Sequence, residues 1–283
     1  MNQLVKIKLS FALGILLALT GCGPNNPEEN KDKTANPPAT TESAAPATIN
    51  YGVVQAYPHD TTAFTEGLLF HDGKLYESTG SPTDLTQTKS VIGEVDLNTG
   101  KLQVKVELDR NKYFGEGMVI LNKKVYQLTY QTKVGFVYDF PTFKKLGEFT
   151  FPSNEGWGLT TDGTYLIMSD GTSQLTYLNP ETFKTEKILG VADNQGAVEN
   201  LNELEFIKGF IYANIYTTNT IVKIDPESGK VVGKLDLSSL DQDAKAKNPA
   251  ALELNGIAYQ AATDQVYVTG KMWPNIYALK FNF

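Results

Sequence analysis

The 283-residue chain has a single cysteine, Cys22, and only two histidines, His59 and His71. One cysteine excludes an intramolecular disulfide and any metal centre built on several thiolates. Two histidines are too few for a His-rich catalytic zinc site. Basic residues are in deficit as well: 25 Lys and Arg stand against 32 Asp and Glu, a formal net charge of −7. A nucleic-acid surface needs a positive stripe, so that class of partner is excluded. Extended helical periodicity is also missing. Aromatic residues, by contrast, make up 11% of the chain, with 14 Tyr and 14 Phe, and they suit pleated, half-buried surfaces. The remaining composition is that of an ordinary globular protein, long enough for one large all-β domain.

The first 48 residues differ from the rest. Lys6 and Lys8 precede an apolar run, Phe11 to Leu19, which is followed by Thr20, Gly21 and Cys22. A basic start, a short apolar stretch and small residues describe a secretory signal, and the run is too short to span a bilayer. The ending Leu19-Thr20-Gly21-Cys22 resembles the lipobox of bacterial lipoproteins. That resemblance implies a lipoprotein signal over residues 1–22, a lipidated Cys22, and a chain exported and anchored to the membrane of a bacterial cell envelope. A plain secretory signal with a chance cysteine is the alternative. Residues 23–48 hold Pro24, Pro27, Pro37, Pro38 and Pro46 and no aromatic residue. Such a segment buries too little apolar area to offset ordering and reads as a disordered tether. The folded domain is expected over residues 49–283.

From Tyr51 onward, short β-like runs alternate with turns that carry Gly, among them His71-Asp72-Gly73, Asp96-Leu97-Asn98-Thr99-Gly100, Thr161-Asp162-Gly163 and Asp225-Pro226-Glu227-Ser228-Gly229. These are hairpin loops with glycine supplying positive φ. Their acidic residues lack the spacing of a calcium loop. Aligning the turns exposes a repeat that opens five times: Thr65-Glu66-Gly67-Leu68, Gly115-Glu116-Gly117-Met118, Gly156-Trp157-Gly158-Leu159, Asn202-Glu203-Leu204-Glu205 and Asn255-Gly256-Ile257-Ala258. A period of roughly 40 to 53 residues fits a four-stranded propeller blade better than a two-sheet sandwich. The last unit offers only three strands, while Asn50 to Tyr57 has no unit of its own. The expectation is a five-bladed β-propeller whose N-terminal strand closes the last blade, which removes open edges.

First strands of blades line the central channel. The opening motifs are therefore expected to bring Glu66, Glu116, Trp157, Asn202, Glu203 and Glu205 to one mouth. His59 and His71 read as loop residues.

Nine short segments then carry a family resemblance: Phe64-Thr65-Glu66-Gly67-Leu68, Phe114-Gly115-Glu116-Gly117, Gln127-Leu128-Thr129-Tyr130, Gly135-Phe136-Val137-Tyr138-Asp139, Glu155-Gly156-Trp157-Gly158-Leu159, Ile167-Met168-Ser169-Asp170-Gly171-Thr172, Leu201-Asn202-Glu203-Leu204-Glu205, Leu254-Asn255-Gly256-Ile257-Ala258-Tyr259 and Val268-Thr269-Gly270-Lys271-Met272-Trp273-Pro274. In this order and at blade spacing, the chain resembles the glutaminyl-peptide cyclotransferases of the plant and bacterial type. The resemblance implies conversion of an N-terminal glutamine to pyroglutamate with release of ammonia, acting on peptides or proteins as a monomer, with no cofactor and no metal. Residue by residue, it implies that Glu116 is the acid/base carboxylate and that Asn202 and Lys271 are polar groups of the site. Trp157, Phe64 and Phe114 would then be aromatic walls for the substrate.

Three positions depart from the family. Glu66 stands where Gln is usual, and Tyr130 and Tyr216 stand where Trp is usual. The segment Ser81 to Ser90 is longer than the family norm. Two close carboxylates raise one pKa, and Tyr for Trp keeps a wall but adds a hydroxyl. A non-catalytic propeller that holds peptides or envelope ligands, or a purely structural envelope protein, are the other readings these departures leave open.

Overall fold

The computed structural model describes residues 44–283. The signal, Cys22 and most of the tether lie outside the described residues. Among the described residues no helix is long and apolar enough to cross a membrane.

Five four-stranded antiparallel blades follow one another along the chain, the fourth extended at its outer edge by a short parallel strand. The first blade runs through Phe64–His71, Lys74–Gly80, Val91–Val95 and Leu102–Glu107, and the second through Gly115–Leu121, Lys124–Thr129, Val134–Asp139 and Lys145–Thr150. The third comprises Leu159–Thr161, Leu166–Met168, Gln174–Leu178 and Thr185–Gly190, and the fourth Leu201–Ile207, Phe210–Ile215, Thr220–Ile224 and Val231–Asp236. The fifth has Leu254–Gln260, Gln265–Gly270 and Asn275–Phe281, and its fourth strand is Tyr51–Pro58, paired antiparallel from Tyr51↔Phe281 to Pro58↔Asn275. The N-terminal strand thus closes the ring, as the short last repeat requires.

Successive side chains of a strand point to opposite faces, and in a propeller both faces of a blade meet a neighbour. Leu68 and Leu75 pack toward the fifth blade while Leu69 and Tyr76 pack toward the second. Val125 faces the first blade and Tyr126 the third. Five clusters of buried side chains result, one between each pair of adjacent blades. This explains why inner strands are buried along most of their length rather than on one face only.

The inner strands approach the axis closely. A Cβ at Gly117 would sit 2.5 Å from the Trp157 carbonyl oxygen, and one at Gly158 would collide with the Asn202 carbonyl. The glycines of the opening motifs therefore let backbones pass side by side, and Gly117 N–H donates to the Trp157 carbonyl at 2.8 Å.

The outer turns hold themselves. Asp96 accepts from Asn98 N–H and the Thr99 hydroxyl, both at 2.9 Å, and Asp225 accepts from Glu227 N–H and Ser228 in the same manner. The turn recurs at Asp139–Phe143 and Asn179–Phe183, where Phe143 and Phe183 take the positive φ that glycine has elsewhere. In these two blades the aromatic ring packs into or against the inter-blade core.

Two features depart from the sequence expectation. Ala47 and Thr48, inside the expected tether, pair in parallel with Gly233 and Lys234 at the outer edge of the fourth blade, and Ile49 N–H donates to the Lys234 carbonyl. A ten-residue helix, Ser238–Lys247, follows the fourth blade; it buries only Leu240, Asp241 and Ala244, so it carries little of the apolar periodicity that reveals helices. Its C-terminal neighbour Asn248 donates to the Met272 carbonyl at 2.8 Å and braces the turn that carries Lys271.

Candidate active site

Register breaks in the first strands set the site. Pairing shifts between Thr65 and Gly67, between Gly115 and Met118, between Leu201 and Leu204, and between Leu254 and Ile257. A bulge frees residues from the ladder and re-aims their side chains. The residues so freed include Glu66, Glu116, Asn202 and Asn255. The same end of the third blade supplies Trp157, just before its first strand. Lys271 lies just after Gln265–Gly270; its N–H donates to the Glu253 carbonyl, and its carbonyl accepts from Leu252 N–H, both at 2.9 Å.

One cavity of about 620 Å³ opens at this end of the channel. Phe64, Glu66, Phe114, Glu116, Tyr130, Trp157, Asn202, Tyr216 and Lys271 all line it. The structure therefore brings together nine of the side chains singled out from the sequence, although they span more than 200 positions of the chain.

Lys271 Nζ donates to Glu66 Oε1 at 2.7 Å, and both side chains are almost wholly buried. Asn255 Nδ2 donates to Glu66 Oε2 at 3.0 Å. The ammonium also lies 4.4 Å from the Phe64 ring centre and 5.3 Å from that of Tyr216, within cation–π range. Phe64 meets Phe114 edge-on at 6.0 Å, and Trp157 meets Tyr216 edge-on at 5.3 Å. Trp157 is further fixed by its Nε1–H, which donates to Glu155 at 3.0 Å. Its ring rests on Gly171, where an added Cβ would come within 2.7 Å.

Glu116 is buried, and among the described residues no side chain donates to its carboxylate. Burial first, and the Glu66 carboxylate second, push its pKa well above the ordinary value; Lys271 opposes them. Burial also lifts Glu66 to about 7 against the pull of Lys271. For Lys271 burial disfavours the ammonium, yet the two carboxylates outweigh it and the pKa rises. With both carboxylates ionised, one cation faces two anions. The site has room for one further positive charge, either a proton on Glu116 or a cation on a ligand.

Glu203 and Glu205 do not reach the cavity, contrary to the expectation that all the opening motifs converge there. Glu203 accepts from Leu68 N–H at 3.0 Å and Ile257 N–H at 2.8 Å, so it stitches the first, fourth and fifth blades across the axis. Glu205 accepts from Tyr259 N–H at 2.9 Å, and burial pushes it up to about 8. His59 does lie between strands, just after Tyr51–Pro58, but its side chain is not at the surface. It is buried, and its two ring nitrogens contact the Trp273 carbonyl at 2.8 Å and Glu77 at 3.1 Å. Both partners are acceptors, so they favour the imidazolium and raise the pKa above the ordinary histidine value although burial opposes it. His71, by contrast, is the last residue of the strand Phe64–His71 rather than a loop residue, and its half-exposed side chain lies beside Asp72.

Sequence reasoning missed Glu155 as the group that orients Trp157, although it sits in a quoted motif. It also missed the outer lining of the cavity, Ser81 to Asp84 and Arg110 to Tyr113, which comes from segments between strands.

Comparison with known proteins bears on the family. Residues 29–281 match the family model described as glutamine cyclotransferase. A curated relative, the glutaminyl-peptide cyclotransferase of Arabidopsis thaliana, is 39% identical over 230 residues, which is 81% of this chain and 70% of that protein. The crystal structure of Myxococcus xanthus glutaminyl cyclase superposes with a TM-score of 0.75 at 32% identity, covering 84% of this chain and 98% of that one. With the family model spanning nearly the whole of the propeller and the side chains in one cavity, the chain belongs to the glutamine cyclotransferase family.

Proposed function

We propose that this propeller is a glutaminyl-peptide cyclotransferase in which Glu116 is the general acid and base, Asn202 and Lys271 stabilise developing charge, and the aromatic side chains hold the glutamine. The observation that carries the reading is a buried carboxylate, Glu116, that has no hydrogen-bond partner among the described residues and faces a cavity walled by Phe64, Phe114, Tyr130, Trp157 and Tyr216.

The α-amine of an N-terminal glutamine must attack the side-chain amide carbon of the same residue. A C–N bond forms, the tetrahedral intermediate carries negative charge on oxygen, and the original amide nitrogen leaves as ammonia. Both partners share one residue, so the enzyme gains chiefly by freezing a near-attack geometry. The α-amine has a reference pKa of about 7.7–8.0 and is largely protonated at neutral pH. An ammonium beside ionised Glu116 and a neutral amine beside protonated Glu116 hold the same number of protons. From the ammonium, ionised Glu116 takes one proton to free the amine, passes it to the departing nitrogen, and takes the second proton that the α-nitrogen sheds on becoming the lactam N–H; that second proton then leaves with the ammonia as ammonium, so one group serves as general base and general acid. Donors at the oxygen stabilise the intermediate, and the Lys271 ammonium, held by Glu66, is the charged one.

Purified protein is expected to release ammonia from a Gln-initiated dipeptide, and Glu116→Gln is expected to lower kcat by about 10²–10⁴, the usual contribution of a positioned acid/base. Tight peptide binding without ammonia release would instead establish a non-catalytic peptide-binding propeller, the reading that the departures at Glu66, Tyr130 and Tyr216 favour.

We further propose that the chain is exported and lipid-anchored through Cys22, on the strength of Lys6, Lys8, the apolar run and the lipobox-like ending. Cys22→Ser should move the protein from the membrane fraction to the soluble one.

A further inference from the structure

Cyclisation joins the amine of a residue to its own side chain, so the rest of the peptide leaves that residue only through the α-carbonyl. Whatever follows the glutamine must pass the open end of the cavity. The buried groups, Glu66, Glu116, Asn202 and Lys271, mark the inner end. The same cavity continues outward to the exposed Thr83, Asp84 and Lys112 and to half-buried Arg110.

This outer rim is built. Arg110 Nη1 donates to the Thr86 and Thr88 carbonyls at 3.1 and 3.3 Å, and Nη2 donates to the Pro82 carbonyl at 3.0 Å. Three bonds from one guanidinium clamp the segment 81–90, whose two ends are joined by Ser81 Oγ and Ser90 Oγ at 2.7 Å. Ser90 Oγ in turn accepts from Gly115 N–H at 3.0 Å, next to Glu116. The clamp uses three of five guanidinium donors, so two remain for a ligand. Among the described residues neither Arg110 nor Lys112 forms an ion pair with a carboxylate. Lys112 lies 5.0 Å from the Tyr113 ring centre. Asp84 is the one acidic side chain of the outer lining, so the rim carries a positive excess on a chain of net charge −7.

We propose that the Arg110-clamped segment 81–90, together with Lys112, is the subsite for the residues that follow the glutamine, and that it selects peptides with an acidic side chain at the second or third position. The proposal rests on the cyclotransferase reading of the inner site.

The test is kcat/KM for three peptide amides, Gln-Ala-Ala, Gln-Glu-Ala and Gln-Lys-Ala, at low and high salt. At low salt the Glu peptide is expected to exceed the Lys peptide by about three- to tenfold, the range of one or two exposed charge contacts. The ratio should fall toward one at high salt, where such contacts are screened. Lys112→Glu should remove or invert the ratio without releasing the clamp. Arg110→Gln should lower it and also loosen segment 81–90. A ratio of one at low salt, with Gln-Ala-Ala turned over, overturns the proposal. A preference that survives both substitutions overturns it too. Absence of turnover on all three peptides would instead remove the cyclotransferase reading, and the subsite with it, so the two failures are distinct.

Discussion

Glu66→Gln isolates the electrostatics of the site. The substitution keeps size and shape and removes one charge. Its new amide still offers an oxygen to Lys271 Nζ, and its nitrogen faces Asn255, whose buried Oδ1 has no partner among the described residues. Turning the Asn255 amide satisfies that contact and gives up the 2.9 Å bond to the Thr65 carbonyl, at about 1 kcal/mol. The fold should survive. The charge effect is larger. The Glu66 carboxylate raises the proton affinity of Glu116, and Lys271 lowers it. Removing Glu66 deletes the first influence and leaves the Lys271 ammonium without its ion pair, so both changes favour ionised Glu116. A neighbouring charge moves a carboxyl by about one to three units. In a pH profile of kcat/KM, the acid limb belongs to the free enzyme and the basic limb to the α-amine of the free substrate, near about 7.7–8.0. The acid limb should therefore fall by about one to two units while the basic limb stays, widening the profile on its acid side. It should also become less steep, because Glu66 no longer titrates beside Glu116. An active variant whose acid limb stays in place, or moves up, refutes the assigned role of Glu116. So does a folded variant with no activity, because the Lys271 contact is preserved.

Further outcomes follow from the scaffold. Glu203→Ala strands two buried N–H groups, on Leu68 and Ile257, and should cost about 2–6 kcal/mol at about 1–3 each in urea denaturation; an unchanged midpoint would show that water replaces the carboxylate. His59→Ala breaks the buried contact with Glu77 and should cost about 3–5 kcal/mol. Burial lowers the His59 pKa, but Glu77 and the Trp273 carbonyl raise it further, for a net rise above 6.5. The stability that His59 contributes is then fully present below pH 6.5 and fades as pH rises through the higher folded value. A wild-type to variant difference that grows with pH would contradict this. Gly171→Ala places a methyl 2.7 Å from the Trp157 ring at a φ of +81°. It should raise KM for Gln peptides more than it lowers kcat, and an unchanged KM would take Trp157 out of the substrate wall.

Much of this was legible because it is local. The D-x-x-T/S-G turns bond to themselves, so their spelling survives in the sequence. The same turn at Asp139–Phe143 and Asn179–Phe183 was not read, because Phe there replaces the expected glycine and is held by core packing. The helix Ser238–Lys247 was hidden because it turns so little apolar surface inward. His59 lies in a connection, as its sequence suggests, but only the fold buries it against Glu77 and Trp273.

The sequence by itself determined the repeat, its four-strand period and the missing strand that the N-terminus must supply, because turn chemistry and strand propensity act within a few residues. It also carried the family, through motifs that hold Glu116, Trp157, Asn202 and Lys271. Only the tertiary structure decided which of the opening residues share a cavity. The bulges at Glu66, Glu116 and Asn202 turn outward to the mouth, whereas Glu203, one residue further on, points into the axis and binds backbone N–H groups of two other blades. A strand's side chains alternate, so a one-residue difference sends a carboxylate to a different face. That difference separates a group exposed to ligand from one that holds the ring together. The outer rim was likewise a tertiary result, since Arg110, in the connection from the first blade to the second, meets segment 81–90, between the first blade's second and third strands, only in the fold.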